Sequence, residues 1–331
     1  MTAWKESVSG RRALTILRSR PFLTLAIVAA VWIAASFFSR GFGAYGHLRY
    51  LVELAAVIGL VAAGQTFVVI AGGIDLSVAA IVTVSAVSLP LLSWQADPTG
   101  LTAVLAVLAL TTTIGLVNGL GVALLRVHPM IMTLAMATFL QGLLIIIAGG
   151  SAVTAENPLV RWLGNARPGG IPAGVLLWVA VSVIVLAAMH ATSFGARLFA
   201  MGANPLAATL SGVPVASTTL AVYGISGFTS GLAGVLVLGM NGQGYVGIGD
   251  PYLLASIAAV VLGGVSLFGG KGSAIGAIFG ALAFRTIGDL LFVFDFDPLW
   301  QPLFQGVILL IAVSLGAFAL FRVRNRLEWF L

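Results

Sequence analysis

A few polar side chains fall inside otherwise apolar runs of this sequence, and they are the groups that could do chemistry. Gln65, Asn118, Gln141, Arg285 and Asp289 lie within such runs, and Asp75 stands where two runs meet. Arg285 and Asp289 are four residues apart, so a helix carries them on one face as an ion pair. A guanidinium in hydrocarbon costs roughly 2.5–3.5 kcal/mol on insertion scales, so Arg285 must face a partner or water. The pair is either a local structural contact or part of the lining of a polar path. Asn118 and Gln141 carry the amide donors and acceptors that recognise hydroxyl groups or bond neighbouring helices. Asp75 belongs to Ile70-Ala71-Gly72-Gly73-Ile74-Asp75-Leu76-Ser77-Val78. An aspartate before a helix satisfies orphan N–H groups and meets the positive end of the dipole. Alternatively this broken helix borders a permeation path, because irregular backbone at membrane depth needs protein or water beside it.

Several chemistries are missing. A phosphate-binding loop requires Gly-x-x-x-x-Gly-Lys followed by Ser or Thr. The nearest approach, Gly269-Gly270-Lys271-Gly272, has Val265 at the first glycine position and Gly272 at the hydroxyl position. His47, His128 and His190 are scattered near the ends of apolar runs, and no His-Glu-x-x-His occurs, so no metal site is suggested. Cysteine is absent, which removes thiolate sites and Cys nucleophiles together. Asp289 has no second acid at similar depth in another run. The chain is read as a non-enzyme that binds no cofactor itself.

The elements that must hold these groups follow from composition. Of 331 residues, 16 are Lys or Arg and 10 are Asp or Glu. That is 8% charged, against roughly 25% in soluble domains. Hydrophobic residues make up 60% and mean hydropathy is +1.12. There is too little polar material to coat a soluble globule, and disordered chains are polar. The net charge of +6 does not read as a nucleic-acid surface, because the positive residues occupy the two ends and short loops. What remains is an all-α polytopic membrane bundle. A spanning helix needs about 20 apolar residues, and ten runs approach that length: 22–39, 51–71, 76–94, 101–125, 130–149, 171–190, 218–239, 253–268, 274–294 and 302–321. Strand-like alternation is absent, which argues against a β-barrel. The first run is followed by no small-residue cleavage site and is expected to be a retained helix rather than a signal peptide.

The positive-inside rule orients the bundle. Lys5, Arg11, Arg12, Arg18, Arg20, Arg126, Arg197, Lys271, Arg322, Arg324 and Arg326 share one side, whereas Arg40, Arg49, Arg161 and Arg167 share the other. Both termini are therefore expected in the cytoplasm, with tails at 1–21 and 322–331 and one membrane domain over 1–331. Asp97, Glu156, Asp250, Asp295 and Asp297 fall on the outer side. The last four are candidates for docking a basic partner; the alternative is that outer loops simply need polar residues.

Two connections are long. Residues 150–170 form an outer segment rich in Gly, Pro and Asn, and 191–217 form the longest cytoplasmic one. In the second, Asn204 is a fitting N-cap, Pro205 a fitting first helical residue, and Gly212 with Pro214 a stop. The expected helix has two turns, too short to stand alone in water. It lacks the basic face of an interfacial helix, which leaves docking into a partner's groove as the other option. Gly115/Gly119, Gly227/Gly231 and Gly276/Gly280 have the spacing of close helix packing.

Four stretches resemble the ribose-type permease family of ABC importers. They are Gly72-Gly73-Ile74-Asp75-Leu76-Ser77-Val78; Val117-Asn118-Gly119 through Leu125-Arg126-Val127-His128-Pro129 to Leu134; Phe199 through Val213; and Ser256 through Ser273. The resemblance implies a helical permease in the bacterial inner membrane. It would pair with a second permease chain, identical or related. Cytoplasmic ATPase subunits, carrying the ATP and Mg, would bind a coupling segment that includes Gly202, Asn204, Pro205, Ala207, Ala208, Leu210, Ser211 and Gly212. A periplasmic or lipid-anchored solute-binding protein would deliver a monosaccharide or related polyol. Gln65, Asp75, Asn118, Gln141, Arg285 and Asp289 are the candidate path residues. The chain departs from the family pattern at Ala79-Ala80, Ala135, Gln141 and the Arg285–Asp289 region. The rival reading is an ion-coupled secondary transporter of a small polar solute, with Asp75 and Asp289 as coupling acids.

Overall fold

A computed structural model of the chain describes residues 20–38, 41–92, 97, 99–294, 296–300, 302–307, 309–311 and 314. Its helices are α1 (Arg20–Phe38), α2 (Tyr45–Ile70), α3 (Val78–Leu92), α4 (Leu101–Ala123), α5 (Pro129–Ala148), α6 (Pro158–Asn165), α7 (Ala173–His190), α8 (Ser193–Ala203), α9 (Pro205–Leu210), α10 (Val215–Asn241), α11 (Pro251–Leu262) and α12 (Ala274–Val293). Residues 302–307 and 309–311 are also helical. Two two-residue strands, β1 (Val153–Thr154) and β2 (Gln243–Gly244), pair antiparallel. Among the described residues, six helices are long and apolar enough to cross a membrane: α2, α4, α5, α7, α10 and most of α12. The chain is an all-α membrane bundle.

Local sequence explains the element ends. Proline opens α5, α6, α9 and α11, where its missing N–H has no helical partner anyway. Glycine in the left-handed region closes α5 and α10, with φ of 58° at Gly149 and 70° at Gly242. The two strands, paired Val153 to Gly244 and Thr154 to Gln243, tie the segment after α5 to the end of α10.

The long helices α2 and α10 form the centre. α10 packs on α2, α3 and α4, while α2 also packs on α7, α11 and α12. The spaced glycines lie in these contacts. A Cβ on Gly227 would stand 3.1 Å from the Gly115 Cα and overlap the Thr111 carbonyl oxygen, so α4 and α10 meet backbone to backbone. Gly276 and Gly280 do the same for α12 against Ala259 of α11 and Gly263 just after it. In contrast, α5 is peripheral: only Thr133, Leu140 and Leu144 are buried along its length.

Several expected boundaries shift. The run at 253–268 is helical only to Leu262, after which 263–273 is irregular. The 150–170 segment contains an unforeseen helix, α6, capped by Asn157, which accepts the Val160 N–H at 3.2 Å. The 191–217 segment is mostly helix rather than loop. Thr192 caps α8 by accepting the Gly195 N–H at 3.4 Å, and α8 buries Leu198, Met201 and Gly202. Short amphipathic stretches of this kind lack the long apolar run by which the spans are recognised. The tails at 1–19 and 322–331 and the acid Asp295 lie outside the described residues.

Candidate functional site

The Gly72–Ser77 turn is a hub built around buried Asp75 and Ser77. Gly72 has φ of 88°, which favours glycine, and it turns the chain out of α2. Asp75 follows, fully buried. Its Oδ1 accepts the Ser77 N–H at 2.9 Å and the Ser77 hydroxyl at 2.6 Å. Its Oδ2 accepts the Ser226 hydroxyl from α10 at 2.7 Å. Asn118 on α4 donates from Nδ2 to the Ser77 oxygen at 2.8 Å, and Thr133 on α5 accepts the Leu76 N–H at 3.0 Å. Asp75 therefore satisfies local backbone, as an aspartate before a helix should. It also ties the turn to a distant helix, which the sequence did not suggest. Ser77 was visible in the motif; Ser226 and Thr133 carried no sequence signal, because their contacts span 151 and 57 residues.

The 191–217 segment meets this hub directly. The Gly270 N–H donates to the Ile70 carbonyl at 2.9 Å. A Cβ on Gly202 would overlap the Ile70 oxygen and stand 2.7 Å from the Gly270 nitrogen. A Cβ on Gly269 would stand 2.7 Å from the Gly202 oxygen. The end of α8 is thus wedged between the end of α2 and the 269–270 turn, with no side chain between them. Beyond it, Asn204 accepts the Ala207 N–H at 3.0 Å and caps α9. Ala208 is buried, Ser211 is the C-cap, and Gly212 turns left-handed at φ 80°. Leu206 and Leu210 are 71% and 81% exposed, an apolar tip left uncovered by the described residues.

The ends of α2 and α11 share a backbone conformation. The end of α2 has Ala71 at φ −68°, ψ −8° and Gly72 at φ 88°. The end of α11 has Gly263 at φ −68°, ψ −4° and Gly264 at φ 82°. Gly264 is therefore the conformational counterpart of Gly72, and the 269–270 pair serves the contact with α8 instead.

The other candidates separate. Arg285 and Asp289 form an ion pair at the opposite end of the bundle, near the start of α2. His47 joins them, with Nε2 3.7 Å from Asp289 Oδ2 and its ring 4.5 Å from that of Phe42. His47 was noted only as scattered in the sequence, since neither spacing nor motif links α2 to α12. Gln65 is fully buried in α2 with neither polar atom hydrogen-bonded, whereas Gln141 is exposed on α5. Asp75 and Asn118 share the hub, so the six path candidates do not form one cluster. Glu156, Asp250 and Asp297 are exposed, and the first two follow the paired strands at one end of the molecule. A pair absent from the sequence reading is Arg167 with buried Glu53, 3.8 Å apart.

Comparison with known proteins points one way. A family model described as the permease component of the branched-chain amino acid transport system matches residues 48–313. The chain is 33% identical over 319 residues to the ribose import permease protein of Escherichia coli K12, covering 93% of this chain and 97% of that protein. The ribose import permease protein of Bacillus subtilis is 34% identical over 298 residues, with coverage of 89% and 91%. The L-arabinose transport system permease protein of Escherichia coli K12 is 34% identical over 303 residues, with coverage of 87% and 88%.

Proposed function

The chain belongs to the branched-chain amino acid transport system permease component family, and from that premise we propose that it is the membrane-spanning subunit of an ATP-driven importer for a monosaccharide or related small polyol. The sugar class rests on relatives named for ribose and L-arabinose, which match over nearly their full lengths. Family membership sets aside the ion-coupled alternative. ATP and Mg belong to a separate ATPase pair, and this chain supplies the path through the bacterial inner membrane.

The observation that carries the mechanism is the seat of α8 and α9. The exposed Leu206 and Leu210 offer an apolar knob to a cytoplasmic groove. The Gly202 wedge joins that knob rigidly to Ile70 and Gly270. Closure of the ATPase pair moves α9 as a body; α8 carries the motion to the end of α2 and the 269–270 turn. The Asp75 network then distributes it to α4, α5 and α10, which is a rigid-body route to alternating access.

Ten spans with both termini cytoplasmic fit the helices present. The 15 residues of α3 extend about 22 Å and the 12 of α11 about 18 Å, short of a hydrocarbon core of about 30 Å. The partly buried irregular segments at 71–77 and 263–273 extend their crossings, as irregular backbone can where protein lies beside it. The little-buried α5, which carries Gln141, is the face offered to a second permease chain. Glu156, Asp250 and Asp297 form the rim that meets the solute-binding protein. Reconstitution of the chain with its ATPase, partner permease and binding protein in proteoliposomes tests the reading. Sugar uptake should require ATP; uptake by this chain alone under an ion gradient would overturn it.

A further inference from the structure

Phe268 is a large apolar side chain left 69% exposed in the irregular segment between α11 and α12. The Ser266 N–H donates to the Lys271 carbonyl at 2.9 Å and the Gly269 N–H to the Ser266 carbonyl at 3.1 Å, so 266–271 is a closed loop. Inside it the Phe268 N–H donates to the Ser266 hydroxyl at 3.3 Å. Gly269 and Gly270 are left-handed, at φ 80° and 68°, a conformation that favours glycine. The Gly270 to Ile70 hydrogen bond fastens the loop to the end of α2. The ring is therefore held out from the molecule by a loop that is itself tied down. We propose that the 266–271 loop is a second docking point for the cytoplasmic ATPase subunit, with the Phe268 ring seated in an apolar pocket beside the groove that takes α9. The proposal rests on the importer reading above and deepens it by adding a contact outside the 191–217 segment.

Continuity with α9 carries the assignment. A Cβ on Gly270 would stand 2.7 Å from the Ala203 Cα, and Ala203 lies just before the Asn204 cap of α9. Two residues of chain, from Gly270 to Phe268, reach at most about 7 Å, and three, from Ala203 to Leu206, about 11 Å. With the close approach of Gly270 to Ala203, the Phe268 and Leu206 backbones are at most about 22 Å apart. A standard interface takes about 800 Å² from each partner, a patch roughly 32 Å across. One partner surface therefore covers Phe268 together with Leu206 and Leu210.

The chemistry of the patch selects a protein over the lipid headgroup layer. The aromatic side chains that concentrate in that layer are Trp and Tyr, whose rings carry a polar group to meet water. Phenylalanine has none, and it is enriched at the centres of protein interfaces. Lys271, Asn204, Thr209 and Ser211 are exposed too, a polar rim of the kind that surrounds such centres. Two anchors on one body also do what one cannot. Leu206 and Leu210 alone fix where the ATPase pulls. Phe268 adds the direction of pull, because α8 and the loop already meet backbone to backbone at Gly202, Gly269 and Gly270.

Photocrosslinking in the complete complex in lipid nanodiscs tests the contact. The photoreactive amino acid p-benzoylphenylalanine is placed in turn at Phe268, at Leu206 in α9 and, as a control, at Ile184, an exposed position in α7. Irradiation should join positions 268 and 206 to the ATPase subunit, and position 184 should give no such product. A product at 206 without one at 268 overturns the proposal and leaves the α9 seat. An adduct at 268 found only on lipid or within this chain overturns it as well. Absence of product at both positions removes the α9 seat along with the proposal, and ATP-driven sugar uptake by the same complex reports on the importer reading separately. Phe268→Ala should raise the Kd between permease and ATPase at least about tenfold, with the chain's melting temperature unchanged because the ring is exposed. Phe268→Leu should recover part of the loss. An unchanged Kd in Phe268→Ala overturns the proposal.

Discussion

Gly202→Ala is the smallest change that should separate ATP hydrolysis from transport. Its single methyl group would overlap the Ile70 carbonyl oxygen and stand 2.7 Å from the Gly270 nitrogen. Both neighbours are backbone, so no rotamer change relieves the contact. Overpacking of this kind costs roughly 1–3 kcal/mol. Loss of the Gly270 to Ile70 hydrogen bond, 2.9 Å long, adds about 0.5–1.5 kcal/mol. Together these favour a displaced α8 by about 2–4 kcal/mol, a factor of roughly 30 to 1,000 in the population of the native seat. The spans themselves are untouched, so membrane insertion should be normal. In proteoliposomes carrying the complete complex, sugar uptake per ATP hydrolysed should fall at least tenfold while ATPase subunits still co-purify. Gly46→Ala is the matched control, because nothing lies within 4 Å of its Cβ position and alanine is the better helix former. The reasoning fails if Gly202→Ala couples uptake to hydrolysis as well as Gly46→Ala does.

Asn204→Ala removes the cap on α9 and should cost about 1 kcal/mol of local helix stability, read as weaker ATPase co-purification with unchanged chain melting temperature. Ser226→Ala leaves Asp75 Oδ2 buried without its donor, so melting should show a loss of about 1–3 kcal/mol; an unchanged transition would mean the network bears no load. Either Arg285→Ala or Asp289→Ala strands a buried charge and should destabilise by roughly 3–5 kcal/mol, whereas the double change should cost less than the sum, as a double-mutant cycle on thermal unfolding would measure. Before α4, hydrogen bonds from Thr102 and Thr99 hold the Asp97 carboxyl below its usual range. Its contribution is therefore complete above the unfolded value near 3.9 and is lost only as pH falls through the lower folded value. NMR titration of the labelled carboxyl should give a midpoint below that of a free aspartate, and an ordinary midpoint would refute the cluster.

The path candidates show where reading a chain stops. Arg285 and Asp289 were recognisable as a pair because four-residue spacing on a helix is a local rule. Their third member, His47, was not, since α2 and α12 are joined by more than 200 residues of chain. Asn118 was singled out for its polarity inside a span, but its burial under Ser77 was invisible. Gln141 looked identical by that criterion and proves to be exposed. Polarity inside an apolar run marks a residue as needing a partner and is silent on whether the partner is a neighbour, a second chain or a solute.

Hydrophobic run length determined the class by itself. With 26 charged residues in 331, burial in lipid was the only outcome available, and the six long helices could be placed because backbone polar groups in hydrocarbon must bond within their own helix. Asn204-Pro205 and Gly212 likewise announced α9, because capping acts over three or four residues. Tertiary structure alone decided what those helices do together. It brought Gly202, Ile70 and Gly270 into backbone contact and bound Asp75 to Ser226 across 151 residues. Glycine, serine and alanine mark such places by being small, and smallness has no period or direction in a sequence. Only the packed helices show which small residue is a wedge, which is a helix contact and which is part of a turn.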